Sequence, residues 1–465
     1  MFQPDESVGS LPGDCEARPT SAAQDQCKAG QKAGVATRPR ELPIEVWERI
    51  IDMVAAENKH HDYNNWDSHP GWATLISCTL VCRAWYRRSW FHLHWQISVR
   101  SREQAVALSR LLRAEPRLRE AVQRVSIAGG LDRNQERLPI PHLATFAAML
   151  ARKLPNVKEF VVRHAEWRLT DVRPRSVAYL NDFSSVYSLK LVNVTFASTM
   201  LFGRLISAFP ALTWMHCVVI RCMQEEPGPT DPLPPLPRTT RELAALSLCE
   251  PIDPAIQSFL VRCAEEDEIK LQFLCLEMDV PSQFTLASKK GQQLLDSSRA
   301  HLRSFVLRMY MEDIPPEAQK TALEPNIILA RVVKLERLTI ECSCPINPDF
   351  SWISTIVSTI VSKAMHEVDI VINFRKKGDT SRRLEILLAR LEQHADLTLL
   401  DEVLAREQFA NIRQKGVGVF LELSPELCAL GSTAADHLEG RWQELVKRKM
   451  PRLTEQEMLR AFVWS

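Results

Sequence analysis

The residues Phe209-Pro-Ala-Leu-Thr-Trp-Met-His-Cys217 read as a helix end turning into a strand. Proline cannot continue a helix and pushes the residue before it into extended backbone. Leu212, Met215 and Cys217 then follow an apolar-x-x-apolar-x-apolar pattern, whose last two positions alternate as in a strand with one buried face. Leu154-Pro-Asn-Val157 opens the same pattern again, with Phe160 and Val162 as its later members.

The pattern occurs nine times. The other triplets are Val122/Val125/Ile127, Val186/Leu189/Leu191, Leu243/Leu246/Leu248, Leu271/Leu274/Leu276, Leu302/Phe305/Leu307, Leu335/Leu338/Ile340 and Met365/Val368/Ile370. Successive middle residues lie 26 to 35 positions apart. Helical periodicity fills the gaps, as in Leu143, Phe146, Leu150 and Leu154. One strand and one helix per unit, neither able to bury its own face, is the logic of a solenoid of leucine-rich-repeat type. The competing reading is an ordinary α/β domain with a parallel sheet. Regular spacing favours the solenoid. The repeats are irregular, and Asn193 alone matches the asparagine of a regular leucine-rich repeat. The array is expected over 101–374, interrupted by a proline-rich surface loop (six prolines between Met223 and Thr240). An atypical cap is expected over 375–465, with two helices within 384–404 and a last strand over 416–423.

Composition narrows the function. The chain has 465 residues, 58 Lys+Arg against 57 Asp+Glu, and 45% apolar residues. The balanced charge gives no global field for nucleic acid. Only 15 glycines speak against a glycine-rich nucleotide fold. Twelve scattered cysteines imply reduced thiols and an intracellular protein, cytoplasmic or nuclear. The N-terminus has no signal-peptide pattern, and no apolar run suits a membrane span. Residues 1–40 mix five acids, five bases and small residues, and are expected to be disordered.

Between that tail and the array lie two apolar helical segments, over 42–54 and 75–86. Val46, Ile50 and Val54 share one face of the first. Leu75, Cys78, Cys82 and Trp85 share a stripe of the second, with Ile76, Leu80, Val81 and Ala84 on its other side. A short helix that is apolar on two sides needs two surfaces to pack on, so one side is expected to meet a partner. A polar connector is expected from Ala55 to Thr74.

Leu42-Pro43-x-Glu45, then Ile50-Ile51, then Leu80-Val81-Cys82-Arg83-Ala84-Trp85 resembles an F-box, in the order that family uses. The likeness spans 41–93, with a longer connector than is usual. An F-box followed by leucine-rich repeats resembles the fungal substrate receptors of SCF ubiquitin ligases. The resemblance implies a short helical F-box module followed by an irregular α/β solenoid, and recruitment rather than catalysis. It implies contact with the Skp adaptor through Leu42, Pro43, Val46, Val81, Cys82 and Trp85, and through that adaptor with cullin and RING subunits. Trp85 fits a core position equally well. The alternative is an interaction scaffold that uses the F-box for adaptor binding without degradation.

In a solenoid, residues between the strand's apolar positions face the concave side. Lys190, Trp214, His216, Phe273, Arg337, Glu367 and Asp369 are therefore candidate contacts for an unknown protein target. The sequence has no phosphate-loop, dinucleotide, zinc-protease, nucleophile-elbow or EF-hand spacing, so it suggests neither an enzyme nor a cofactor. Cys78 and Cys82, and likewise Cys342 and Cys344, are expected to be structural cysteines rather than metal ligands. His60, His61 and His69 read as a wet loop. The basic run 375–383 reads as a solvated turn or a nuclear signal.

Overall fold

The computed structural model describes residues 43–60, 70–168, 177–223, 243–266, 269–278, 281–310, 327–343, 350–374, 388–389, 391–393, 397–423 and 432–464. Most of the expected disordered tail, proline-rich loop, basic run and histidine cluster lies outside them.

Three helices come first: α1 (Ile44–His60), α2 (Pro70–Thr79) and α3 (Arg83–Leu93). Both ends of the expected polar connector are helical: α1 runs on through its first six residues and α2 begins at Pro70. The single helix expected over 75–86 is two. Leu80 N and Val81 N donate to Ser77 O and Cys78 O, which tightens and closes α2. Cys82 is extended (φ −159°, ψ 170°) and caps α3. Cys82 is therefore exposed rather than buried.

The sheet follows. Its strands are β1 (Gln96–Val99), β2 (Arg124–Ala128), β3 (Leu138–Pro139), β4 (Glu159–Trp167), β5 (Ser188–Phe196), β6 (Trp214–Cys222), β7 (Ala245–Ile252), β8 (Phe273–Met278), β9 (Ser304–Met309), β10 (Arg337–Ser343), β11 (Glu367–Phe374), β12 (Val417–Leu423) and β13 (Leu459–Trp464). All pair in parallel, and apart from β3, which adds to the end of β4, they follow one another in chain order. An open parallel sheet wound in strict sequence is a solenoid; a doubly wound sheet reverses order part-way. In all nine predicted triplets the last two residues fall on β2 and β4–β11 and the first lies two positions before the strand; every one of their residues is at most 5% exposed. The ladder also starts earlier and ends later than expected: β1 precedes residue 101, and the expected last strand, β12, carries β13 on its far side.

Local chemistry explains the alternation of strand and helix. Ser101, Ser198 and Asp253 cap the helices that follow β1, β5 and β7, accepting from Gln104 N, Leu201 N and Ala255 N. Pro254 occupies the first turn of its helix, where a missing N–H is harmless. Helix and strand residues merge in one continuous core running from Ile97 to Ala461. Phe160 sits within it among Phe146, Phe183 and Phe209, with ring centroids 6.2, 5.9 and 5.1 Å away.

A backbone device keeps the register. The Trp95 carbonyl accepts from both Gln123 N and Arg124 N, and Gln123 O accepts from Lys158 N and Glu159 N. Lys158 O, Tyr187 O, Thr213 O, Ala244 O, Gln272 O and Arg303 O each accept two successive N–H groups from the next unit. The starts of β2 and of β4–β10 are thus hydrogen-bonded to the unit before them.

Candidate functional site

The helical unit has a very small core. Ile51, Ala55 and Leu75 are each 2% exposed, and Val54, Cys78, Trp85 and Leu93 pack around them. Trp85 leans on Trp47 at 4.8 Å between centroids. Asp52 ties α1 to α3: it accepts from Arg88 Nε at 2.7 Å and lies 2.7 Å from His92 Nε2. These hydrogen bonds, Arg88 first, hold its carboxyl down at about 2.

The rest of the unit's apolar surface is open. Val46 and Ile50 are 40% exposed, Met53 60%, Ile76 52%, Leu80 83% and Val81 60%. Val46, Ile50 and Met53 form one stripe of α1, and the break after α2 turns Leu80 and Val81 outward. Of the six predicted adaptor contacts, Pro43, Val46, Val81 and Cys82 are exposed. Trp85 is half-buried in the small core, and Leu42 lies outside the described residues. Ile50, Met53, Ile76 and Leu80 are exposed as well. Helical spacing alone puts Ile76 and Leu80 on the outer side, but Met53 needed the true packing of α1.

The solenoid's other surface is the sheet face opposite the helices. Strand register draws its middle row as Val161, Lys190, His216, Ser247, Cys275, Val306, Thr339, Asp369, Gly418 and Arg460. Much of that row is closed to solvent: Lys190 is 3% exposed and Cys275 3%. Lys190 thus lies beneath the surface. His216 stacks on Trp214 at 5.6 Å, and burial, with Lys190 and Arg308, holds its pKa down at about 3. It is neutral at pH 7. Trp214 and Phe273 are half-exposed and stand either side of Ala245.

The remaining predicted contacts gather at β10–β13. Glu367 accepts from Arg337 Nε at 2.6 Å and lies 3.6 Å from Lys415 and 3.7 Å from Arg460. Asp369 accepts from Arg460 Nη2 at 3.3 Å. Burial, and then Glu367, raises Asp369 to about 6. Gly418 makes room for this cluster: a Cβ there would fall 2.4 Å from Asp369 Oδ1. The seven predicted contacts therefore form two groups rather than one site. Sequence reading missed Lys415 and Arg460, because they come from the region assigned to a cap.

Chemistry elsewhere is quiet. Burial raises the thiols of Cys217, Cys249 and Cys275, the last to about 11, so they stay protonated. Arg308 bridges Glu277 (3.5 Å) and Glu341 (2.7 Å) across three strands. Among the described residues no cluster of three potential metal ligands occurs, and no helix is long and apolar enough to cross a membrane. No family model matches the chain, and no curated protein matches it.

Proposed function

We propose that the chain is a substrate receptor of an SCF-type ubiquitin ligase, with an F-box in its three helices and leucine-rich-repeat-like units in its solenoid. One observation carries the reading. Among the described residues, three helices with a three-residue core leave Val46, Ile50, Met53, Ile76, Leu80 and Val81 exposed. Apolar surface gathered in this way marks a protein interface. The motif order Leu42-Pro43, Ile50-Ile51 and Leu80 to Trp85 resembles an F-box, and that resemblance supports the Skp adaptor as the partner. The solenoid follows directly, with β1 beginning at Gln96, three residues after α3 ends. A target held on it would be delivered to a ubiquitin-charged enzyme by proximity, with no chemistry from this chain.

The test is complex formation between the purified full chain and a Skp adaptor, followed by size-exclusion chromatography and calorimetry. The expected result is a one-to-one complex, weakened at least tenfold by Val46→Asp with Val81→Asp. Absence of any complex with the unaltered chain overturns the reading.

A further inference from the structure

Strands β4, β5 and β6 share an irregularity. His164, Asn193 and Val219 have φ of 45°, 55° and 55°, and their flanking residues pair so that the three lie side by side. Non-glycine residues rarely take this conformation, and a β-branched one hardly ever. Bulges and strained residues of this sort gather where a chain must re-aim its side chains. Beyond the bulge, Glu166, Thr195 and Arg221 share one register row.

A loop over 129–139 folds against this rim. Gly129 permits the crossing, since a Cβ there would sit 2.4 Å from Leu138 O and 2.6 Å from His164 O. The loop delivers Arg137, whose Nε donates to Asn193 Oδ1 at 2.6 Å and whose Nη1 donates to Thr195 Oγ1. Asn193 Nδ2 donates to His164 Nδ1 at 3.0 Å, so the proton of the neutral ring sits on Nε2.

Arg137 is thus held on two neutral oxygens. Neither it nor Arg221 pairs with a carboxylate among the described residues. The charges felt here are cationic: Arg221 acts on Arg137, and Arg163, Arg137 and Arg100 act on His164. The carboxylate in the row, Glu166, is held by Arg168 at 2.7 Å. A partly buried guanidinium without a counter-charge is unfavourable until an anion arrives. The planar fork of arginine matches the oxygens of phosphate.

We propose that this rim is an oxyanion site, in which Arg137 and Arg221 grip a phosphate-type group, free or carried on a partner's side chain, with the His164 Nε2–H as a neutral donor. The site stands on the sheet and the loop over 129–139 and does not depend on the adaptor reading.

The full chain, with histidines labelled for NMR, is titrated with inorganic phosphate and with sodium chloride at matched ionic strength. The expected result is a saturable phosphate-specific shift of the His164 signal and a higher His164 titration midpoint in phosphate. Arg137→Gln removes the loop's anchor along with the charge, so Arg221→Gln, exposed and outside the hydrogen-bond network, is the deciding variant. It is expected to weaken phosphate at least fivefold with an unchanged melting temperature. A short peptide bearing one phosphoserine, if bound more tightly than inorganic phosphate and than its serine counterpart, assigns the anion to a protein ligand; parity with inorganic phosphate assigns it to a free anion. No phosphate-specific shift, an unaffected Arg221→Gln variant, or tighter binding of a thymidine oligonucleotide than of either probe overturns the proposal.

Discussion

Arg88 grips Asp52 with two nitrogens, Nε on Oδ1 at 2.7 Å and Nη2 on Oδ2 at 2.5 Å, and so ties α3 back to α1. A unit whose core, among the described residues, is Ile51, Ala55 and Leu75 depends on such a clasp more than a large domain would. Because the Asp52 pKa is depressed to about 2, the contact stabilises fully above the free carboxyl value and is lost as pH falls through about 2. Both side chains are about 40% exposed, so screening limits its worth to about 1 kcal/mol. Asp52→Asn is expected to speed amide exchange in α1 and α3 at pH 7. Unchanged protection there would dismiss the clasp.

Leu75 and Leu80 lie five residues apart and differ in exposure, 2% against 83%. Leu75→Ser is expected to cost about 3 kcal/mol and melt the helical unit. Leu80→Ser is expected to leave stability within about 0.5 kcal/mol and to weaken adaptor binding. Circular dichroism melts and binding measurements on the pair separate core from interface; equal melting shifts would contradict the packing described.

Asp369 should make the chain less stable as pH rises. Its folded pKa, about 6, lies above the free value of 3.8, so the native state holds the proton more tightly across that interval. Stability is expected to fall from pH 4 to pH 6 and then level off. Asp369→Asn should raise stability at pH 7 by about 1 kcal/mol, after allowance for partial exposure, and change little at pH 4. Denaturant midpoints at the two pH values provide the check, and a variant weaker at pH 7 would refute it.

Val219 carries a branched side chain at φ 55°. Val219→Asn, which copies neighbouring Asn193, is expected to stabilise the chain by about 1 kcal/mol, because asparagine tolerates that conformation. The same change at Val192, one position before the bulge, should bring no gain. A destabilised Val219→Asn variant would mean that local packing outweighs the backbone term.

The strands were legible because the solenoid repeats one burial rule. Phe160, Leu189 and Met215 occupy equivalent sites, and each period adds evidence for the next. β1 and β13 escaped notice because a terminal strand has a neighbour on one side only and the apolar triplet is incomplete there: His94 precedes Ile97 and Val99, and Gln456 precedes Leu459 and Ala461. The split at Leu80 to Cys82 was hidden because Leu80, Val81 and Ala84 continue the apolar helical spacing of Ile76 across it. The face of the sheet was legible as a set of outward positions but not as a surface. Whether Lys190 reaches solvent depends on neighbours far apart in sequence. The pairing of Arg137 with Asn193 and Thr195 spans a loop and two strands, and no short motif encodes it.

The forked carbonyls from Trp95 to Arg303 also tie each unit to the one synthesised just before it. In each pair the acceptor belongs to the earlier segment and the donors to the later one. Contacts therefore close over short stretches of sequence, and a chain emerging from its N-terminus can add each unit to the preceding one. The order of synthesis can serve as the order of folding, with no wait for the carboxyl end.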